Sequence, residues 1–355
     1  MFKLALGALV SLLLALGSSG AIAKSDAGSV AAPKKHGVKR IKMVLRRPGI
    51  RIAPADSRER VVKRVVTVRG KRHVQYQRVT NVALPPALTV GDLAGLNLTR
   101  DPLDLKSSVA LVLDQSNSEV LFEKNSNVSL PIASITKMMT GLVVVEARQD
   151  MDELLTVTED DVDRHKFSSS RLKVGSELTR SNMLHIALMS SENRAASALG
   201  RNYPGGLPAF VDAMNAKARQ LGMGDTHYVD SSGLSKQNVA SARDLAKLAM
   251  AAFHHPLLRQ FSTDPKAMIE ASGQLMQYGN TNHLVANPSW EIGLQKTGFI
   301  NEAGRCLLMQ TVIEGRAVIM VFLDSKGKQS RTADAGRMRK WLEALRPAGL
   351  TLPGG

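Results

Sequence analysis

Two apolar runs near the middle of the chain, "SSVALVLD" (residues 107–114) and "EVLFEKN" (residues 119–125), flank the polar stretch Gln115 to Ser118. They predict two strands joined by a turn. An apolar, Met-rich run beginning at Ser134 predicts a helix directly after them. Further on, "SNMLHIALM", "NRAASALGRNY", "LPAFVDAMNAKARQLG" and "SARDLAKLAMAAFH" place apolar residues every three to four positions, as helices with one buried face do. Gly222 and His254-His255-Pro256 punctuate the last two. Strands then return in "WEIGLQKTGFI", "RCLLMQTVIEG" and "RAVIMVFLDS", an antiparallel meander turning at Glu314-Gly315-Arg316, and "TADAGRMRKWLEALR" closes as a helix. Strands, then helices, then strands bring both ends of this region into one sheet. The expected fold is α+β: an antiparallel sheet with flanking helices and an inserted helical lobe, with ligands expected in the cleft between lobes. No internal repeat is present.

Composition changes the picture mainly at the ends. Residues 1–23 read as an export signal: Lys3, then the apolar stretch Leu4 to Leu16, then the small-x-small site Ala21-Ile22-Ala23. The apolar stretch is shorter than the roughly 20 residues a membrane span needs, so the expectation is an exported, periplasmic protein, soluble or peripherally associated with membrane or wall. The formal charge of +16 is concentrated: residues 34–78 hold 16 Lys and Arg against Asp56 and Glu59. With "AAPKK", "RRPG" and "ALPPAL", residues 24–88 are expected to be a basic linker with little core. Inside it "RVVTVRGKRHVQYQRV" alternates around Arg69-Gly70-Lys71 as an exposed hairpin would. Residues 89–346 then form the globular domain and residues 347–355 a short tail. Low aromatic content and the export signal argue against nucleic acid and for an anionic envelope surface as the partner of residues 34–78.

Candidate chemistry is sparse. Cys306 is the sole cysteine and sits in apolar "GRCLLMQTV", so it reads as a buried structural thiol with no disulfide partner. No zinc-ligand spacing occurs, and no metal or other cofactor is called for. The spacing S-x-x-K occurs at Ser134/Lys137, Ser170/Lys173 and Ser325/Lys328, and alone it selects none of them. Ser191-Glu192-Asn193 lies between two helical patterns and Lys296-Thr297-Gly298 lies on a strand. Taken singly, these are an ordinary cap and an ordinary edge with a bulge glycine. Their order after Ser134, each on the expected element, makes the combination specific.

Together the motifs resemble those of the low-molecular-mass penicillin-binding proteins and serine β-lactamases. The closer resemblance is to D-alanyl-D-alanine endopeptidases of the penicillin-binding protein 7 type, carried by "PIASITKMMT", "LHIALMSSENRAASALGRNYPGG", "FVDAMNAKARQLGM", "SARDLAKL", "NTNHLV" and "LQKTGFINEAG". The resemblance covers roughly residues 89–346 and leaves the basic zone unexplained. It implies a β-lactamase/transpeptidase-like fold and a serine DD-endopeptidase acting on peptidoglycan, with β-lactam antibiotics as covalent inhibitors. Ser134 is then the nucleophile and Lys137, one helical turn away, its base, with a pKa lowered by burial and by neighbouring Lys296. Ser191 relays a proton to the leaving amine, and Asn193 holds the peptide and steadies Lys137. Lys296 and Thr297 meet a substrate carboxylate, Gly298 lets the substrate lie on the sheet edge, and the backbone N–H groups of Ser134 and Phe299 form the oxyanion hole.

Three other readings compete. A D-alanyl-D-alanine carboxypeptidase uses the same residues, but commonly carries a further C-terminal β domain and anchor, where here only "RPAGLTLPGG" follows the closing helix. A class A β-lactamase needs a deacylating glutamate in E-x-x-L-N, and only Glu270 and Glu291 fall between the S-x-N motif and Lys296, neither in that motif. A non-catalytic peptidoglycan-binding protein is the remaining reading, against which stands the presence of every motif residue.

Overall fold

The computed structural model describes residues 59–68, 71–80 and 87–345, and the chain divides into two units, Met1–Ala83 and Leu84–Gly355. In the first unit, β1 (Glu59–Val68) pairs antiparallel with β2 (Lys71–Thr80), from Glu59↔Thr80 to Val68↔Lys71, where the alternating pattern places a hairpin. One face carries Lys63 opposite Tyr76 and Val65 opposite Val74, all exposed. The export signal, the rest of the basic linker up to residue 86 and the tail from residue 347 lie outside the described residues.

The second unit is built on a five-stranded antiparallel sheet. Its strands are β3 (Ser107–Asp114), β4 (Val120–Lys124), β11 (Glu291–Ile300), β12 (Gly304–Ile313) and β13 (Arg316–Ser325), in the order β11-β12-β13-β3-β4. The segments that open and close the unit therefore meet as neighbours, β13 against β3. Both of these central strands are near-continuous apolar runs because both faces of the sheet are covered. Their residues divide by the two-residue period. Val109, Leu111, Ile319, Val321 and Leu323 enter the core under the helical lobe, while Ala110, Val112, Val318, Met320 and Phe322 pack on the opposite face around Met338 of α8 (Ser330–Ala344).

Between β4 and β11 the chain forms the inserted lobe. After a short α1 (Val90–Leu93) ahead of the sheet, β5 (Leu130–Pro131) leads into α2 (Thr136–Glu146), of which nine residues are buried. A small hairpin, β6 (Leu154–Thr156) with β7 (Glu177–Thr179), precedes α3 (Arg180–Met189), α4 (Asn193–Arg201) and α5 (Gly206–Gln220). The two-residue β8 (Val239–Ala240), α6 (Ala242–Phe253) and α7 (Pro256–Thr263) follow, then the hairpin β9 (Lys266–Ala271) and β10 (Gln274–Gly279). The four amphipathic patterns are helices α3 to α6. Helix α7 and the β9–β10 hairpin were not anticipated: Pro256 marks a break in the pattern, yet at the first helical position it starts a new helix, since the N–H it lacks would have no partner there.

One carboxylate fastens the closing helix to the sheet. Asp334 of α8, fully buried, accepts from the backbone N–H groups of Lys106 (3.1 Å) and Ser107 (2.8 Å), from the Ser107 hydroxyl (2.6 Å) and from Arg337 (2.5 Å). Replacing Asp334 by Ala strands these donors in an apolar setting. We expect a loss of about 2–4 kcal/mol in urea unfolding; a loss below about 0.5 kcal/mol would show that water or another side chain takes over the donors.

Candidate active site

Ser134 lies on a single 3-10 turn, Ala133–Ile135, between β5 and α2, not in the α-helix proper, which starts at Thr136. Ala133 just before it is left-handed (φ 49°), a conformation costing about 1–3 kcal/mol for a residue with a Cβ. The turn is held by its surroundings. The Thr136 hydroxyl donates to the Ala133 carbonyl (2.8 Å), and the Ile132 N–H donates to the Asn238 carbonyl (3.1 Å). Two glycines press on it from opposite sides. A Cβ on Gly233 (φ 82°) would lie 2.0 Å from the Ala133 oxygen, and one on Gly298 would lie 2.8 Å from the Ile132 oxygen and 3.2 Å from the Ser134 nitrogen. The glycine of the K-T-G motif is thus the one residue that lets β11, the sheet edge, reach the turn bearing Ser134.

Lys137, fully buried, directs its Nζ at three acceptors: the Asn193 Oδ1 at 2.7 Å, the Ser232 carbonyl at 2.6 Å and the Ser134 Oγ at 3.0 Å. A neutral amine has two N–H groups and one lone pair. The carbonyl and the amide oxygen can only accept, so they take the two N–H groups and leave the lone pair facing the hydroxyl of Ser134. Burial brings the Lys137 pKa down to about 7, against the charges of Asp230 and Glu192, which favour the ammonium. Burial is the first cause for Lys137, and the nearby Lys296 and Lys137 disfavour each other's charge; Lys296 lies well below its ordinary pKa through burial first and then the charges of Lys137 and Arg331.

The remaining motif residues converge on the same place. Ser191, left-handed at φ 63°, sits in the α3–α4 junction, and its hydroxyl accepts from the Lys296 Nζ (2.9 Å), which also donates to the Thr297 carbonyl (3.0 Å). Asn193 opens α4. Its amide nitrogen donates to the Ser168 hydroxyl (3.0 Å), which orients its oxygen towards Lys137. Thr297 shares a 2.6 Å hydrogen bond with the Thr281 hydroxyl. Phe299 is half-exposed next along β11, under the guanidinium of Arg305 (4.6 Å). Ser134, Lys137, Ser191, Asn193, Lys296, Thr297 and Gly298 are therefore brought together where the sheet edge meets the helical lobe, with Phe299 next along the strand. The other two S-x-x-K pairs do not form this contact: Lys173 and Lys328 are exposed, and the Ser325 hydroxyl donates to Ser330 (2.7 Å).

Several participants carried no signal in the sequence. Asp230 caps the turn that presents the Ser232 carbonyl, accepting from the N–H groups of Ser232 (2.7 Å), Gly233 (2.5 Å) and Ser235 (2.9 Å). Arg331 of α8 donates to the carbonyls of Gly298 (2.8 Å) and Cys306 (3.3 Å) behind the strand, and burial lowers its pKa to about 10. Cys306 itself is fully buried opposite Gly298, and burial raises its thiol to about 12. Glu270 and Glu291 are exposed, on β9 and at the start of β11. Among the described residues no group of three His, Cys, Asp or Glu is placed to hold a metal ion, and no helix is long and apolar enough to cross a membrane.

Known proteins similar to this chain fall in one family. A family described as D-alanyl-D-alanine carboxypeptidase, a peptidase family, matches residues 97–327. A D-alanyl-D-alanine endopeptidase of Pseudomonas aeruginosa is 48% identical over 252 residues, 70% of this chain and 80% of the relative. One of Escherichia coli is 45% identical over 242 residues, 68% of this chain and 78% of the relative. Among solved structures, a Streptomyces K15 DD-transpeptidase mutant (S216A) superposes with a TM-score of 0.64 at 26% identity, covering 68% of this chain and 99% of that one. Penicillin-binding protein D2 of Listeria monocytogenes in its cefotaxime-bound form gives 0.61 at 27% identity, covering 68% and 98%.

The electrostatics of Lys137 can be tested directly. Glu192 is buried and caps α4 at the Arg194 N–H (3.3 Å), a bond a glutamine oxygen can still accept. In Glu192→Gln the negative charge that favours the ammonium is gone, so the Lys137 pKa should fall further below its value of about 7. NMR titration of Cε-labelled lysine reads this shift, and an unchanged or raised midpoint would contradict it.

Proposed function

This chain belongs to the D-alanyl-D-alanine carboxypeptidase family of serine peptidases, and on that premise we propose that it is an endopeptidase cleaving D-alanyl cross-links in peptidoglycan through an acyl-enzyme on Ser134. The observation that carries the mechanism is the lone pair of a lysine with a pKa near 7 facing the Ser134 hydroxyl. As Ser134 Oγ bonds to the D-alanyl carbonyl carbon, its proton passes to Lys137. Charge on the carbonyl oxygen develops between the N–H groups of Ser134 and Phe299. The C–N bond breaks, and the departing amine takes a proton delivered through Ser191, whose hydroxyl Lys296 holds in place. Water then cleaves the ester by the same path in reverse. Asn193 ties Lys137 to the peptide. Lys296 and Thr297 meet the carboxylate on the leaving side, and arrival of that anion restores the charge on Lys296 that burial opposes.

The endopeptidase reading is favoured over carboxypeptidase action because relatives at 48% and 45% identity are named endopeptidases, while the family description supplies the second reading. Digestion of purified peptidoglycan separates them: mass spectrometry should show cross-linked dimers disappearing, whereas release of single D-alanine residues from pentapeptides would favour the carboxypeptidase. Fluorescent penicillin should label Ser134 and not the Ser134→Ala variant. The labelling rate should rise with pH through about 7 as Lys137 loses its proton. It should drop far more in Lys296→Ala than in Lys173→Ala; equal drops would remove Lys296 from the site.

Export by residues 1–23 and an electrostatic tether in residues 34–78 complete the proposal. The tether is supported by the concentration of 16 cations in that stretch and by the exposed Lys63 and Arg72 of the hairpin. Its contacts should be screened, since the Debye length falls from about 10 Å at 0.1 M salt to about 3 Å at 1 M. Sedimentation of the mature protein with purified sacculi should collapse with salt and with deletion of residues 34–78, while penicillin labelling of Ser134 survives the deletion. Undiminished sedimentation of the deleted form at low salt would leave residues 34–78 as a spacer.

A further inference from the structure

Beside the catalytic cleft lies a cavity of about 760 Å³ that none of the motif arguments predicts. It begins at Asn193 and Ser232, the two acceptors of the Lys137 amine, and extends to Glu302 in the turn after β11. Val162, Leu207, Val229 and Leu234 line it with apolar surface. Its walls otherwise carry six carboxylates against three Lys or Arg side chains, a local excess of negative charge on a chain of formal charge +16.

The direction of the substrate identifies which part of it would lie there; this step rests on the DD-peptidase reading above. With the leaving-side carboxylate at Lys296 and Thr297 and the reacting carbonyl at the N–H of Phe299, the acyl part of the peptide must continue past Phe299 towards Ile300 and Glu302 along the free edge of β11. The cavity thus takes the residue that precedes the scissile D-alanine. Stems joined through a D-alanyl carbonyl must each bear a second amine to accept that bond. The donor stem therefore carries such a side chain as well, with a free ammonium whenever it is not itself cross-linked.

Glu302 is equipped to meet that group. Its Oε1 pairs with the ammonium of Lys166, a residue 136 positions away on the loop opposite, so the carboxylate already holds one cation across the cavity mouth. Its Oε2 is buried behind that pair and accepts from no other side chain, while the residue's own backbone N–H also supports the carboxylate. The Lys166 bond, before any other influence, keeps Glu302 below the usual carboxylate range, so it is ionised at neutral pH. We propose that this cavity is the acyl-donor subsite, and that the Glu302 carboxylate, exchanging Lys166 for the substrate's cation, selects stems whose residue before D-alanine carries an unmodified side-chain ammonium.

The test uses two synthetic cross-linked stem dimers, identical except that the donor side-chain amine is free in one and acetylated in the other. The quantity read is the ratio of their kcat/KM values within each protein, so differences in the amount of folded enzyme cancel. The wild-type chain should prefer the free amine about tenfold, the size of one charge-assisted hydrogen bond. Glu302→Gln should bring the ratio close to one. Lys166→Met, which removes the internal cation but keeps the carboxylate, should keep or raise it. Equal cleavage of both dimers by the wild type, or a preference that survives Glu302→Gln, overturns the subsite while leaving the peptidase reading intact. Loss of the preference in Lys166→Met would assign it to closure of the loop and also overturn the proposal. Cleavage of neither dimer would sink the endopeptidase reading and the subsite together.

Discussion

A lysine amine without access to water, offered two acceptors that can take only its N–H groups, is the constraint on which this structure depends. A buried ammonium is penalised by several kcal/mol unless it is paired, and among the described residues no carboxylate lies within hydrogen-bonding distance of Lys137. The amine therefore becomes neutral near pH 7, and its remaining lone pair has one neighbour, the hydroxyl of Ser134. Keeping that geometry requires the Ser232 carbonyl and the Asn193 oxygen to stay where they are. The Asp230-capped turn fixes the first and the Ser168 hydroxyl, through the amide nitrogen, the second. Much of the inserted lobe can be understood as the support for these two oxygens.

The second constraint is distance. The edge strand of the sheet and the turn bearing Ser134 belong to parts of the chain more than 150 residues apart, and they touch through backbone where Gly298 has no side chain to intervene. Gly233 allows the same approach from the lobe. The strained φ of Ala133 is maintained because both neighbours are rigid: β11 is tied down by Arg331 through the Gly298 carbonyl, and α8, which carries Arg331, is fastened to β3 by Asp334. A side chain on the last helix thus reaches the geometry of the site in two hydrogen-bonded steps.

Like charge is managed in the same economical space. Lys296 and Lys137 share a dry cleft, and the guanidinium of Arg331 lies close behind the strand, so the charge of any one disfavours the others. In the reading proposed here, an anionic substrate relieves that repulsion on arrival, which couples binding of a carboxylate to the protonation state of Lys296 and leaves Lys137 free to act as base.

The sequence by itself determined the order of elements, the antiparallel meander and the motif residues, because each is a local property: a two-residue period, a three-to-four-residue period, or a short fixed spacing. It could not choose among three S-x-x-K pairs on spacing alone, since the same spacing puts Lys173 and Lys328 in solvent. Only the tertiary structure made that choice, by burying one lysine and supplying acceptors from residues 56 and 95 positions away. Thr281, Ser168, Asp230 and Arg331 were illegible for the same reason: a lone polar residue has no period, and its worth depends on what the fold places opposite it. Short elements such as α7 also escaped notice, because eight residues after a proline give too few turns to establish a pattern. The cavity ending at Glu302 belongs wholly to this second class, being the space left between a lobe loop and a sheet turn that no spacing along the chain relates.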